Sequence, residues 1–345
     1  MKLVAKYLRS TIAGPLIVLL LIVVIASVTT RRFLLPTNMI NVSLEVAIVA
    51  VIAIGGTLVI LTGGIDLSPG STVALVCVSL AYLVRNMGVP LPVSIILVLF
   101  LGILLGFVNG VLSTYGRIPP FIVTLATMNI FRGLAYVVTG GLTIFSVSPD
   151  LEPIFYGKLL GIPLPFYYVI VLYAAAAFFL RNTTQGRSIY AVGGNESAAR
   201  LNGISVHQTR LLAFVIAGLT AAIAGVLETA WLNSGAPSFG ADLGLDSIAA
   251  AVIGGASLMG GYGNILASLV GALMVTVVEN VLNLHAVQAA WQDVSLGLVL
   301  ALAVGLDMWR NSIGGSISRL FGLSKSHAED KDSFDVSRKQ PNTPS

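Results

Sequence analysis

The chain has 345 residues, 56% of them hydrophobic and only 10% charged, with a mean hydropathy of +0.93. Soluble domains carry about 25% charged residues, so the composition excludes an ordinary soluble fold and leaves a polytopic helical membrane protein. The net charge of +4 follows topology rather than nucleic-acid binding, and the single cysteine, Cys77, excludes an internal disulfide and any Cys-x-x-Cys site.

Taken in order, the basic residues Lys2, Lys6 and Arg9 precede an apolar run that starts at Thr11. That run is longer than a signal h-region and is followed by no clear small-x-small cleavage pattern, so it reads as a retained first span. A helix needs roughly 20 apolar residues to cross a hydrocarbon core. Stretches of about that character occur at 11–29, 44–62, 69–85, 92–114, 120–139, 164–180, 211–231, 246–259, 264–283 and 290–309. The expected fold is all-α: a polytopic bundle of about ten transmembrane helices with broken or re-entrant segments. The transmembrane domain is expected over 1–310, with a cytoplasmic loop at 181–210 inside it. A cytoplasmic and largely disordered tail follows over 311–345.

Lysine and arginine placement orients the chain. With a cytoplasmic N-terminus, fourteen of the 19 basic residues fall in inner segments. Four, Arg31, Arg32, Arg85 and Lys158, fall in outer ones, and Arg132 lies within a span. Both termini are therefore expected in the cytoplasm.

Several features break the apolar pattern. Residues 62–70 place two glycines, an aspartate, a serine and a proline between two spans, and a bilayer tolerates such backbone only where protein or water surrounds it. The eighth span is too short to cross comfortably and ends in Gly254, Gly255, Gly260, Gly261 and Gly263. Two broken helices at matching places in two halves point to a translocation site. Gly102, Gly106 and Gly110, and the Gly218–Ala221–Ala222–Gly225 set, form smooth stripes for close helix packing. Arg132 costs about 2.5–3.5 kcal/mol at a helix centre. It is expected to pair with one of Asp66, Glu228, Asp246 or Glu279.

Within the cytoplasmic loop, Asn195 is a good N-cap, Glu196 suits a helix N-terminus, Ala198, Ala199 and Arg200 favour helix, and Gly203 suits the residue past its end. The expectation is a helix of about two turns. Isolated, it is too short to be stable, so it packs on its own bundle, on lipid or on a partner protein.

No Gly-x-x-x-x-Gly-Lys-Ser/Thr loop is present. The three histidines are not spaced as metal ligands, and no Gly-x-Ser-x-Gly elbow appears. The chain reads as a non-enzyme without catalytic residues, metal site or cofactor.

Four segments together resemble the ribose-type permeases, the membrane subunits of bacterial ABC importers for monosaccharides and related polyols. They are Gly63-Gly-Ile-Asp-Leu-Ser-Pro-Gly-Ser71, Thr124-Leu with Arg132-Gly-Leu, the 191–204 segment, and Ile248-Ala-Ala-Ala-Val-Ile-Gly-Gly with Gly260-Gly-Tyr-Gly. The resemblance runs over roughly 40–310, and Pro69 departs from the aliphatic residue many relatives carry there. It implies an inner-membrane permease dimer, homo- or heteromeric, with a cytoplasmic ABC ATPase that hydrolyses ATP and a periplasmic sugar-binding protein. Asn195, Glu196, Ala198, Ala199, Arg200 and Gly203 would then form the coupling helix that docks on the ATPase. A neutral sugar needs hydroxyl and amide partners along its path; Asp66, Ser68, Thr124, Asn129, Arg132 and Asn233 are the candidates for path or gate, with 62–70 preferred as inner gate or pore edge. The alternatives are an ion-coupled secondary carrier, in which Glu228 or Asp66 would titrate, and a passive channel.

Overall fold

The computed structural model describes residues 13–295 together with 297, 298, 301 and 305. Of these, only residue 305 falls outside a compact unit covering Met1–Ala303. The basic N-terminal residues, half of the expected tenth span and the expected tail lie outside the described residues.

The helices, in order, are α1 (Ala13–Thr29), α2 (Pro36–Leu61), α3 (Pro69–Ala81), α4 (Leu91–Thr114) and α5 (Pro120–Thr139). After them come α6 (Glu152–Tyr156), α7 (Leu164–Asn182), α8 (Thr184–Gly194), α9 (Glu196–Leu201) and α10 (Val206–Leu232). The last two are α11 (Leu243–Ile253) and α12 (Ile265–Leu284), and residues 289–295 are again helical. Proline stands at the first or second position of α2, α3, α4, α5 and α7. Its missing N–H is no loss there, and its φ is already helical. The expected start of the third span at Pro69 is observed.

Among the described residues six helices, α2, α4, α5, α7, α10 and α12, are long and apolar enough to cross a membrane. The second expected span extends back to Pro36, a turn and more beyond its apolar run, because Asn38 is buried there and exchanges hydrogen bonds with Asn280 of α12 (2.9 and 3.0 Å). Asn280 thus pairs α12 with α2. α2 is apolar on every side and buried at every position from 46 to 62, the pattern of a central helix. α10 packs on it, on α3 and most extensively on α4. The two glycine stripes prove to be halves of one interface. A Cβ on Gly102, Gly106 or Gly218 would strike backbone of the opposite helix, and Gly225 meets Val76 of α3 instead. Cys77 is buried in the same region. On the outside, Ile130, Val137, Val171 and Phe178 are exposed, which suits a hydrocarbon surround.

The 140–163 segment, silent in the sequence, adds short strands to the helical bundle. Ile144–Phe145 (β1) pairs antiparallel with Ser234–Gly235 (β4), and Lys158–Leu159 (β2) with Ile162–Pro163 (β3).

Candidate functional site

The singled-out residues build three structures: the short helix α9, the 62–70 break, and a polar cavity against α5.

α9 forms as its residues dictate. Asn195 Oδ1 accepts from the Ala198 N–H at 2.9 Å, and Gly203 takes φ +80° just past the end, a conformation costly for residues with a Cβ. Glu196 accepts from Arg200 one turn on and from Arg210 of α10, each at 2.9 Å. Partial burial works to raise the Glu196 carboxyl, but Arg210 and then Arg200 outweigh it and hold it below the usual carboxylate range. Ala199 packs inward with Val192 and Val206, so the helix rests on its own bundle. Ala198 faces out, and Leu201 at the tip is 89% exposed. Beside it, Arg117, Arg200, His207 and Arg210 line a cavity of about 380 Å³ with Glu196.

The 62–70 break closes on itself. Asp66 is buried, and its Oδ1 accepts from both the Ser68 N–H (2.9 Å) and the Ser68 hydroxyl (2.7 Å). The Asn109 amide of α4 donates to that hydroxyl at 2.7 Å. Thr124 of α5 donates to the Ile65 carbonyl at 3.2 Å. Asp66, Ser68 and Thr124 therefore lie together, binding the break to α4 and α5.

Arg132 does not pair with an acid. Its Nη1 donates to the carbonyls of Pro237 (2.6 Å) and Phe239 (2.7 Å), in the irregular stretch between β4 and α11. Among the described residues the ion pairs are those of Glu196 alone. The expected carboxylate partner is replaced by backbone because two orphan carbonyls satisfy a guanidinium without placing a second charge in a poorly solvated setting. The named acids gather elsewhere: Glu228, Asp246 and Glu279 line a cavity of about 250 Å³ with Glu45 and Trp231.

Arg132 also faces a cavity of about 310 Å³, whose α5 wall holds Met128, Asn129 and Tyr136. The opposite wall is Leu67, Gly70 and Ser71 together with Ser238 and Ala241. Ser71 is 1% exposed, and its hydroxyl has no hydrogen-bond partner. This lining offers hydroxyl, amide and guanidinium groups and no carboxylate. Asn129, Arg132 and Tyr136 share a helix face by their spacing of three and four, a signal readable in the sequence. Ser71 and Ser238 carried no such signal. Asn233 is elsewhere: it ends α10 at φ +42°, its side chain accepts from the Ser148 N–H at 3.1 Å, and it lines a separate cavity with Trp231 and Lys158.

Comparison with known proteins decides the family. The family model described as branched-chain amino acid transport system / permease component matches residues 38–304. The chain belongs to this permease family. It is 42% identical to the ribose import permease protein RbsC of Bacillus subtilis over 85% of this chain and 92% of that one. Against RbsC of Haemophilus influenzae the identity is 39%, covering 84% and 91%. Against the autoinducer 2 import system permease protein LsrC of Escherichia coli O157:H7 it is 36%, covering 85% of each. No solved structure gives a significant match. The chain is thus a multi-pass inner-membrane permease, the membrane subunit of an ABC importer.

Proposed function

We propose that this permease carries a monosaccharide or related small polyol inward by alternating access, driven by a separate cytoplasmic ATPase seated on α9. The observation that carries the reading is Leu201, a large apolar side chain 89% exposed at the tip of a short, doubly capped helix. Leaving such a residue in water forgoes the roughly 1.5–3 kcal/mol that burial of a leucine yields, and a groove on a partner supplies that burial.

In this reading the chain has about ten spans, both termini in the cytoplasm, and a second permease subunit. A periplasmic binding protein delivers the sugar, and the ATPase alone hydrolyses ATP. Asn129 and Arg132 contact passing hydroxyls, with Ser71, Tyr136 and Ser238 beside them. Asp66, Ser68 and Thr124 hold the edge of that path rather than touching sugar, and Asn233 shapes the loop that borders it. A carboxylate-free, hydroxyl- and amide-lined cavity of about 310 Å³ suits a neutral, hydroxyl-rich ligand, since each buried donor or acceptor finds a partner.

The test is uptake in proteoliposomes holding this chain with a cognate ABC ATPase and sugar-binding protein. Monosaccharide uptake is expected to require ATP. Glu196→Lys and Gly203→Asp are expected to abolish it while the permease stays folded. Robust uptake by this chain alone under a sodium or proton gradient would overturn the reading.

A further inference from the structure

At one end of the bundle, three stretches of backbone meet with no side chain between them. They are Leu61–Gly63 at the end of α2, Gly260–Gly261 in the loop after α11, and Gly193–Gly194 at the end of α8. The Gly261 N–H donates to the Leu61 carbonyl at 2.9 Å. A Cβ on Gly193 would overlap that same carbonyl, and one on Gly260 would stand 2.8 Å from Gly63 N and 3.0 Å from Gly193 O. One on Gly261 would overlap Gly194. Gly63, Gly260 and Gly261 also hold φ of +79°, +84° and +71°, which L side chains rarely adopt. The Tyr190 hydroxyl of α8 ties the group by donating to the Gly263 carbonyl at 3.1 Å.

We infer that this glycine junction is the transmission element of the importer, and that Gly193, Gly260 and Gly261 are positioning residues that carry a displacement of α9 to the polar cavity. The inference rests on the docking role proposed for α9. Gly194 is followed directly by Asn195, the cap of α9, so force on that helix enters the junction within one residue. Backbone in contact with backbone has no rotamer in which to absorb the movement, unlike an intervening side chain.

The far side of the junction is the body that must move. α11 is seated on the break at both ends. Past its C-terminal end, Gly260 and Gly261 meet Leu61–Gly63. At its N-terminal end, a Cβ on Gly244 would stand 3.2 Å from Leu67 O, and one on Gly70 would overlap Gly240. The 61–70 segment and α11 therefore shift together. This body supplies Leu67, Gly70 and Ser71 to the cavity, with Ser238 and Ala241 just before α11, whereas Met128, Asn129, Arg132 and Tyr136 come from α5. The cavity lies between this body and α5, which is tethered to it by the bonds of Arg132 to Pro237 and Phe239 and of Thr124 to Ile65. Displacement at the junction therefore moves the Leu67–Ser71 wall about those tethers and changes the cavity's shape.

The test uses the complete reconstituted importer and reads sugar taken up per ATP hydrolysed. Gly193→Ala and Gly260→Ala are expected to lower that ratio about tenfold, within the range by which residues between coupled sites alter coupling, while the complex keeps its ATPase and hydrolysis continues. ATP-dependent change in amide exchange over 62–70 and 236–242 is expected to vanish with it, a readout that mere loss of stability does not produce. Tyr190→Phe adds no bulk and is expected to lower the ratio about twofold by loosening one tie; it decides the matter should both alanine variants fail to fold. A normal uptake ratio with normal exchange changes in the folded variants overturns the transmission role. The docking reading fails separately, by Glu196→Lys retaining both ATPase and uptake.

Discussion

Two of the irregular stretches of backbone in this helical bundle satisfy their polar groups in opposite ways. The 62–70 break holds its carboxylate from within, Asp66 receiving the Ser68 N–H and hydroxyl two residues away, with one bond each from Asn109 and Thr124 added from neighbouring helices. The 233–242 stretch is held from outside, by a guanidinium more than a hundred residues earlier that reaches two of its carbonyls. In a medium without water to substitute, both solutions are obligatory. A local solution makes a segment rigid by itself, whereas a remote one makes its position depend on a neighbouring helix.

The sharpest way to break the contrast is Arg132→Met. It leaves the carbonyls of Pro237 and Phe239 without donors, at about 1–3 kcal/mol for each buried unsatisfied group. The expected outcome is a lower thermal midpoint, faster amide exchange over 236–242, and lost uptake. Arg132→Lys, a point charge in place of a planar fork, is expected to fall between that variant and the unaltered protein.

Asp66→Ala tests the self-held segment and is expected to cost less, about 1–2 kcal/mol, by analogy with loss of a helix cap. Its exchange increase is expected to be largest within 62–70 and to reach 236–242 only through the Gly70–Gly240 backbone contact. An increase larger in 236–242 than in 62–70 would show that Asp66 does not hold its own segment. Asp66→Asn keeps one acceptor oxygen and is expected to lie close to normal in stability, which a thermal melt of the purified protein decides.

Asn195→Ala removes the cap of α9, about 1 kcal/mol, and is expected to fray residues 196–203 and weaken retention of the ATPase without moving the thermal midpoint. The smallest effect is that of pH on the same helix. The folded Glu196 carboxyl lies below its ordinary value of about 4.5, so the contribution of its arginine pairs is complete above that value. It is lost as pH falls through the lowered folded value. Exposed pairs of this kind are worth about 0.3–0.5 kcal/mol, so acid is expected to quicken exchange in α9 only slightly.

Much of this was readable beforehand, for reasons that differ by element. The helix at 196–201 was legible because cap, composition and terminating glycine all act within one or two turns. The α4–α10 contact was half legible: each glycine stripe announced a close partner, but not that the partner was the other stripe. Arg132 was legible as a residue in need of a partner, and its partner was misassigned to a carboxylate because backbone carbonyls leave no mark in a sequence. Ser71 and Ser238 were missed altogether, since a hydroxyl in an apolar helix or a loop looks the same whether or not it faces a cavity.

The 62–70 motif shows where the division falls. By themselves, the residues determined that the chain breaks there, that α3 starts at Pro69, and that the carboxylate must be enclosed, because burial of charge and the φ of proline are local facts. Only the tertiary structure decided that Asp66 faces Ser68 rather than the cavity, that the break is seated against both ends of α11, and that it touches the glycines leading into α9. Those are matters of which surfaces meet, and close backbone contact between distant glycines is chosen by packing, not by any residue's own preference.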